Sequence, residues 1–411
     1  MKPKKSKNAG NRMRVKTDQI TGLKNDKEME KNFMEKRKLN RLGIETSLLG
    51  FGCMRFPLQE DGSIDEAEAE RMIDKAIAKG VNYIDTAYPY HDGKSEITVG
   101  KILKKYPRDS FYIATKLPVW EVKTVEDVDK YLNEQCEKLQ MDYIDFYLLH
   151  AMNKDRWEDV LRLGVIERLE ELQAAGKIKY LGFSFHDSYE VFEEMINYRN
   201  WDFCQIQLNY LDANEQAGIK GYQLAEKKGV PLMIMEPIKG GSLAVFSDEI
   251  MDKFKEADPT ASPASFALRW VGSLPGVKVI LSGMSSMEQV EDNLKTFENF
   301  KPLNEKEKQT IDEVKQILDS RIQNGCTGCR YCMPCPAGVN IPGSFKAWNN
   351  YHVFQNYQSV KWDWEIEIGD AHQPKNCIEC GKCERVCPQK ISIRDNLKKA
   401  QADLEKAAIQ K

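Results

Sequence analysis

Eight of the eleven cysteines in this 411-residue chain fall in two short bursts near its C-terminus. The second burst runs Cys377-Ile378-Glu379-Cys380-Gly381-Lys382-Cys383-Glu384-Arg385-Val386-Cys387-Pro388. Its C-x2-C-x2-C-x3-C-P spacing is one that holds a [4Fe–4S] cube. The first burst, Cys326-Thr327-Gly328-Cys329-Arg330-Tyr331-Cys332-Met333-Pro334-Cys335-Pro336, ends the same way with its last gap one residue shorter. Spacings of two let one tight loop aim three thiolates at one cube, and Gly328 and Gly381 give those loops backbone freedom. Two Zn(Cys)4 sites are the competing reading, since C-x2-C pairs also suit zinc. Three C-x2-C steps ending in Cys-Pro argue for iron and sulfide instead.

Where one chain holds two such cubes, the fourth cysteine of each run ligates the other cube. By that rule one cube takes Cys326, Cys329, Cys332 and Cys387, and the other takes Cys377, Cys380, Cys383 and Cys335. No signal peptide is read, so a reducing cytoplasm is expected and disulfides are not. Cys53, Cys136 and Cys204 lie outside the bursts. They read as buried thiols, with Cys53 alone worth testing for reactivity.

The chain is too long to be only a cluster carrier. A composition of 41% hydrophobic and 30% charged residues is that of a soluble globular protein, and a net charge of −3 gives no reason to expect nucleic acid or a membrane as partner. Residues 1–35 are polar and Lys-rich and read as a mobile tail. Then short apolar runs alternate with stretches of helical period. The runs are Leu48–Cys53, Val81–Thr86, Phe111–Lys116, Tyr143–His150, Ile178–Ser184, Phe203–Leu208, Pro231–Glu236 and Val277–Ser282, with helices such as Asp65–Lys79, Val125–Leu139, Trp157–Ala175 and Ser286–Phe297 between them. Eight strand–helix units point to an α/β fold, a (β/α)8 TIM barrel. The open alternative would want G-x-G-x-x-G after its first strand, and Gly50-Phe51-Gly52-Cys53-Met54-Arg55 does not supply it.

Chemistry in such a barrel gathers at the C-terminal ends of its strands. Those ends carry Cys53 and Arg55, Asp85 and Tyr90, Lys116, His150, Ser184 and His186, Gln205 and Asn209, Glu236 and Lys239, and Gly283. Any one of these polar groups would be unremarked as a structural residue. Acid–base groups at four successive strand ends are harder to dismiss.

Residues 36–300 resemble the aldo-keto reductases. Asp85-Thr86-Ala87-Tyr88-Pro89-Tyr90 is similar to their D-T-A-x-x-Y signature, Ala114-Thr115-Lys116 to their lysine motif and Tyr147-Leu148-Leu149-His150 to their histidine motif. The resemblance implies a catalytic tetrad of Asp85, Tyr90, Lys116 and His150, NADH or NADPH as cofactor, and carbonyl reduction. It implies cofactor contacts at Ser184, Gln205, Met235, Lys239, Gly283, Gln289 and Asn293. Many NADP-dependent members carry Lys and Arg where this chain has Gly283 and Gln289. Beyond the barrel, the chain resembles the bacterial branch of that family with a small, α-rich, ferredoxin-like iron–sulfur domain. The implied organisation is a helical connector over 301–325, a two-cluster domain over 326–395 and a terminal helix or tail over 396–411.

The physical reading runs beside the resemblance. A phenol with a pKa near 10 is a poor acid at neutral pH, and an adjacent ammonium lowers it. Lys116, held by Asp85, would do this for Tyr90 as general acid, while His150 orients the substrate oxygen. Arg55 and Trp120 are the expected substrate contacts, Arg55 as a clamp for a carboxylate or phosphate. The expected function is a cytoplasmic oxidoreductase acting on a small substrate, its clusters carrying electrons. The alternatives are structural or redox-sensing clusters, or an electron-carrier module on a barrel scaffold. Nicotinamide gives two electrons as hydride while a cube takes one, which points to a redox partner protein or flavoprotein, to a substrate that passes electrons singly, or to clusters that do not turn over.

Overall fold

The computed structural model describes residues 34–409. The Lys-rich tail expected over 1–35 lies outside the described residues except for Met34 and Glu35. These two are tied to the barrel, Met34 bridging to Glu298 and the Glu35 N–H donating to the Phe297 carbonyl at 3.0 Å.

The first element is one the sequence pattern does not announce. Strands β1 (Lys36–Leu39) and β2 (Ile44–Ser47) form an antiparallel hairpin. Its buried Leu39 joins Tyr83, Ala114, Phe146, Phe203, Met233 and Val279 in one apolar cluster inside the barrel. The hairpin thereby plugs the end at which the barrel strands begin.

Eight parallel strands close the barrel in chain order: β3 (Leu49–Gly52), β4 (Tyr83–Asp85), β5 (Tyr112–Leu117), β6 (Ile144–Met152), β7 (Ile178–Phe185), β8 (Phe203–Gln207), β9 (Leu232–Met235) and β10 (Val277–Gly283). All eight coincide with the apolar runs. The interior is filled rather than hollow, as in barrels of this size. At Gly182 a Cβ would stand 2.6 Å from the Phe203 ring, so that ring occupies the space a side chain would need. The helix expected over 157–175 is two helices, Lys154–Arg162 and Val165–Ala174, broken at Gly164 with φ 69°.

After the barrel, Asn304 and Glu307 form a reciprocal cap on the helix Glu305–Ser320. Arg269 grips the same Glu307 at 2.6 and 2.8 Å, fixing the helix to the barrel. The C-terminal region is built on two helices, Ile341–Phe354 and Ile393–Ile409, around Phe345, Trp348, Trp364, Leu397 and Leu404. The expected boundary at residue 395 therefore falls inside one helix, whose apolar face belongs to that core.

The helix Ile341–Phe354 has two jobs. Phe345 lines one of the cysteine-walled cavities. At the other end, Val353 and Phe354 pack with Tyr210, Leu243 and Phe246, residues that follow β8 and β9. Among the described residues, no helix is long and apolar enough to cross a membrane.

Candidate active site and cysteine-lined cavities

Strand register brings the tetrad together. Asp85 ends β4 and pairs with Gly52 and Ala114 on its neighbours, while Lys116 stands near the end of β5 opposite Leu148. The Lys116 ammonium donates to Asp85 Oδ1 at 2.7 Å, to the Thr86 carbonyl at 2.7 Å and to the Tyr90 hydroxyl at 3.4 Å. Both members of the ion pair are buried. Burial alone would push the Lys116 ammonium down, but Asp85 and Tyr90 outweigh it and hold the group above its ordinary value, as a cation.

Tyr90 sits in a tight turn. Its N–H donates to the Ala87 carbonyl, and its own carbonyl accepts from Gly93 and Ser95. His91 follows with φ 52°, accepts the Phe56 N–H on Nε2 at 3.1 Å and stacks on the Phe56 ring. That clasp ties the turn to the segment after β3. No motif in the sequence pointed to His91 or Phe56.

The expectation of a net-lowered phenol is not met. Burial pushes Tyr90 above its ordinary value; Lys116 pulls the other way without fully offsetting it. The hydroxyl is therefore protonated at neutral pH, the state a proton donor needs. The His150 ring stands edge-on to Tyr90 at 6.1 Å and tilted against Trp120 at 5.2 Å. Burial first, then Lys116, His186 and Arg156, drive its imidazole well below the ordinary value, so it is neutral. Its Nδ1 is buried without a hydrogen-bond partner.

A second network steadies Lys116 from behind. Gln135 donates to the Lys116 carbonyl at 3.0 Å and to the buried Glu96 carboxylate at 2.7 Å, and accepts the Tyr147 hydroxyl at 2.6 Å. Thr115 donates to the same carboxylate at 2.6 Å. Both donors meet Glu96 on Oε1, while Oε2 has only the Lys138 ammonium at 3.8 Å, and the cost of breaking such a set holds the backbone around Lys116.

The expected cofactor residues line the same rim with different degrees of freedom. Ser184 and Gln205 are register partners on β7 and β8. Ser184 Oγ accepts the Ala151 N–H at 2.8 Å, holding the bulge after His150, where Ala151 has φ 51°. Gln205 is buried, and its Oε1 has no partner. An orphaned acceptor at that depth fits a ligand that brings an amide N–H, which a nicotinamide carboxamide does. Met235 is half-buried at the end of β9.

Lys239 is ion-paired to Asp212 at 2.7 Å. Asn293 is buried and donates to Ser282 Oγ at 2.7 Å, and Gln289 Oε1 accepts the Ser285 N–H at 2.7 Å. Arg55 lies along Gly283. Trp120 carries the Arg156 guanidinium 4.9 Å from its ring centre. Cys53 is buried against Asp85, and burial pushes its thiol well up, away from the thiolate form.

The two bursts wall two cavities of about 340 Å³ each, open space included. Cys326, Cys329, Cys332 and Cys387 line the first with Phe345 and Ile393. Cys335, Cys377, Cys380 and Cys383 line the second with Ile341 and Leu397, and Cys332 also reaches it. Thus Cys387 faces the first burst and Cys335 the second, the grouping the crossing rule gives. Among the described residues, no three His, Cys, Asp or Glu converge on a point that one metal ion would fill. Four sulfurs set around a space with apolar walls fit a cube.

Comparison with known proteins decides the family. Residues 48–316 match the model of the aldo/keto reductase family, and residues 325–391 match a 4Fe-4S dicluster domain. The chain belongs to the aldo/keto reductase family. It is an oxidoreductase by that membership, and the family match takes in most of the helix Glu305–Ser320. L-galactose dehydrogenase of Arabidopsis thaliana is 26% identical, over 70% of this aldo/keto reductase and 95% of the plant protein. The NADH-specific methylglyoxal reductase of Escherichia coli K12 is 25% identical, over 62% and 89% of the two chains. Among solved structures, the holo form of aldo-keto reductase AKR11C1 from Bacillus halodurans superposes with a TM-score of 0.56 at 28% identity, covering 68% of this chain and 96% of that one.

Proposed function

We propose that this aldo/keto reductase exchanges hydride between NADH or NADPH and the carbonyl carbon of a small substrate, with Tyr90 as proton donor. The observation that carries the reading is the Lys116 ammonium, shared between Asp85 at 2.7 Å and the Tyr90 hydroxyl at 3.4 Å beside a neutral His150. A bound reduced nicotinamide supplies the hydride. Tyr90 gives its proton to the carbonyl oxygen, and the Lys116 cation stabilises the phenolate left behind. A ring N–H of neutral His150 orients the oxygen and favours the charge that develops on it. Gln205 and Ser184 would hold the carboxamide. Trp120, packed on His150, would wall the substrate side and exclude water.

The E. coli relative is named for NADH and methylglyoxal, which makes that pair the first to try. NADH loss that depends on methylglyoxal supports the reading, and no turnover across a panel of aldehydes and ketones with either nucleotide would sink it. Because the phenol stays protonated and the imidazole neutral, kcat/KM for reduction should be level between the ordinary histidine value near 6.5 and the ordinary phenol value near 10. It should fall only above that range, as Tyr90 loses its proton. A pH–rate profile with a break near neutrality would contradict this assignment.

Cofactor choice follows from Gly283 and Gln289, neither of which is a cation. A charge-assisted hydrogen bond contributes about 1.5–3 kcal/mol, so two missing contacts to a 2′-phosphate remove a preference of a hundredfold or more. Dissociation constants for NADH and NADPH are expected within about tenfold of each other. A strong preference for NADPH would place the 2′-phosphate on other residues.

Two [4Fe–4S] clusters, one on Cys326, Cys329, Cys332 and Cys387 and one on Cys335, Cys377, Cys380 and Cys383, complete the proposal as one-electron carriers. Cys329 and Cys380 are exposed, which suits exchange with a redox partner protein or flavoprotein. The packing of Val353 and Phe354 on Tyr210, Leu243 and Phe246 favours a second reading, in which the clusters shape the barrel rim structurally. Reducing the clusters of the anaerobic protein chemically and following carbonyl reduction separates the two: turnover that changes with the cluster oxidation state supports electron transfer, and turnover independent of it supports the structural role.

A further inference from the structure

We infer that Arg55 is the cation that holds the pyrophosphate of the nicotinamide nucleotide; this rests on the nucleotide-dependent reading above. Arg55 follows β3, and its side chain runs across the end of β10, the strand paired with β3. A Cβ placed on Gly283, at the end of β10, would stand 3.4 Å from each of Arg55 Cβ, Cγ and Cδ. The arginine stem therefore runs along the face that a side chain at 283 would take. Its head reaches the loop after β9, where a Cβ on Gly240 would stand 3.4 Å from Arg55 Nη2. The backbone is anchored as well, since Ser285 Oγ donates to the Arg55 carbonyl at 2.8 Å.

Arg55 thus joins the ends of β3, β9 and β10, and its charge is free to act there. It is exposed, and no ion pair among the described residues involves it. The other cation of the rim loop is already engaged, because Asp212 holds Lys239 at 2.7 and 2.9 Å. A guanidinium presents paired N–H groups in a plane, which matches the oxygens of a bridging diphosphate better than a point charge does. Gly240 and Gly241, with φ 61° and 101°, leave the opposing loop without side chains, so its backbone can approach the same oxygens.

The site is also consistent with weak discrimination between nucleotides, since a cation on the pyrophosphate serves both. The test is equilibrium binding to the purified protein, followed by nucleotide fluorescence or calorimetry, for NADH and NADPH separately. Arg55→Ala should raise both dissociation constants by about 10- to 100-fold, and Arg55→Lys should recover part of the loss. The salt dependence of binding should flatten in the alanine variant. Unchanged affinities in Arg55→Ala would overturn the assignment. So would a loss confined to NADPH, which would put the guanidinium on the 2′-phosphate. If the wild-type protein binds neither nucleotide, the nucleotide reading itself fails and this inference falls with it.

Discussion

Tyr90→Phe is expected to lower carbonyl reduction by about 10²–10⁴-fold while leaving nucleotide affinity near that of the wild type. The substitution keeps the ring, and with it the edge-on contact to His150 at 6.1 Å and the cation–π geometry of Lys116 at 4.9 Å from the ring centre. It deletes the hydroxyl that Lys116 contacts at 3.4 Å. The effect should therefore appear in kcat and kcat/KM alike, the signature of an interaction made in the transition state. Steady-state rates and a binding titration on the same preparation check it. Wild-type turnover in the variant would remove Tyr90 from the mechanism.

Cys387→Ser should destroy the cube in the first cavity and spare the second, although Cys387 belongs to the second burst in sequence. The cavity lined by Cys326, Cys329 and Cys332 has Cys387 as its fourth sulfur, whereas Cys380 and Cys383 face the other cavity with Cys335. Iron per chain should fall from about eight to about four, and the surviving cube should carry the spectroscopic signature of the Cys377–Cys380–Cys383 site. Cys335→Ser should give the reverse pattern. Fold retention is checked separately by circular dichroism, because Cys387 packs, partly buried, against the core of Phe345, Trp348 and Leu397. Selective damage by Cys387→Ser to the cube of the second burst would mean that the bursts act independently.

What the sequence disclosed and what it hid divide along physical lines. The barrel strands were legible because each is a short apolar run flanked by helical periodicity, and the cysteine bursts because their spacing is itself the geometry. The N-terminal hairpin was hidden because β1 presents Lys36, Arg37 and Lys38 and buries only Leu39. The break at Gly164 gave no more signal than any glycine in a helical stretch. The run into the terminal helix was obscured because the last cysteine suggested a boundary that packing does not respect.

At the site, the identities of the strand-end groups were readable but their energetics were not. Tyr90 and Cys53 both end above their ordinary values because burial dominates both, and burial is a property of the closed barrel. Arg55 was legible as a cation after the first strand end, but its neighbours were not. Its carbonyl meets a residue 230 positions away, a proximity only barrel closure creates.

Isotope transfer tests most directly whether reduction at the barrel rim is a direct hydride transfer assisted by Tyr90. The anaerobic holoprotein is given NADH or NADPH carrying deuterium at the transferable position, with methylglyoxal or another aldehyde found to turn over. Mass spectrometry then reads the alcohol product. The account predicts one deuterium on the former carbonyl carbon, and loss of that product in Tyr90→Phe. Turnover that yields an unlabelled alcohol would contradict it, because the electrons would then have reached the substrate by another route, with the new hydrogen drawn from water.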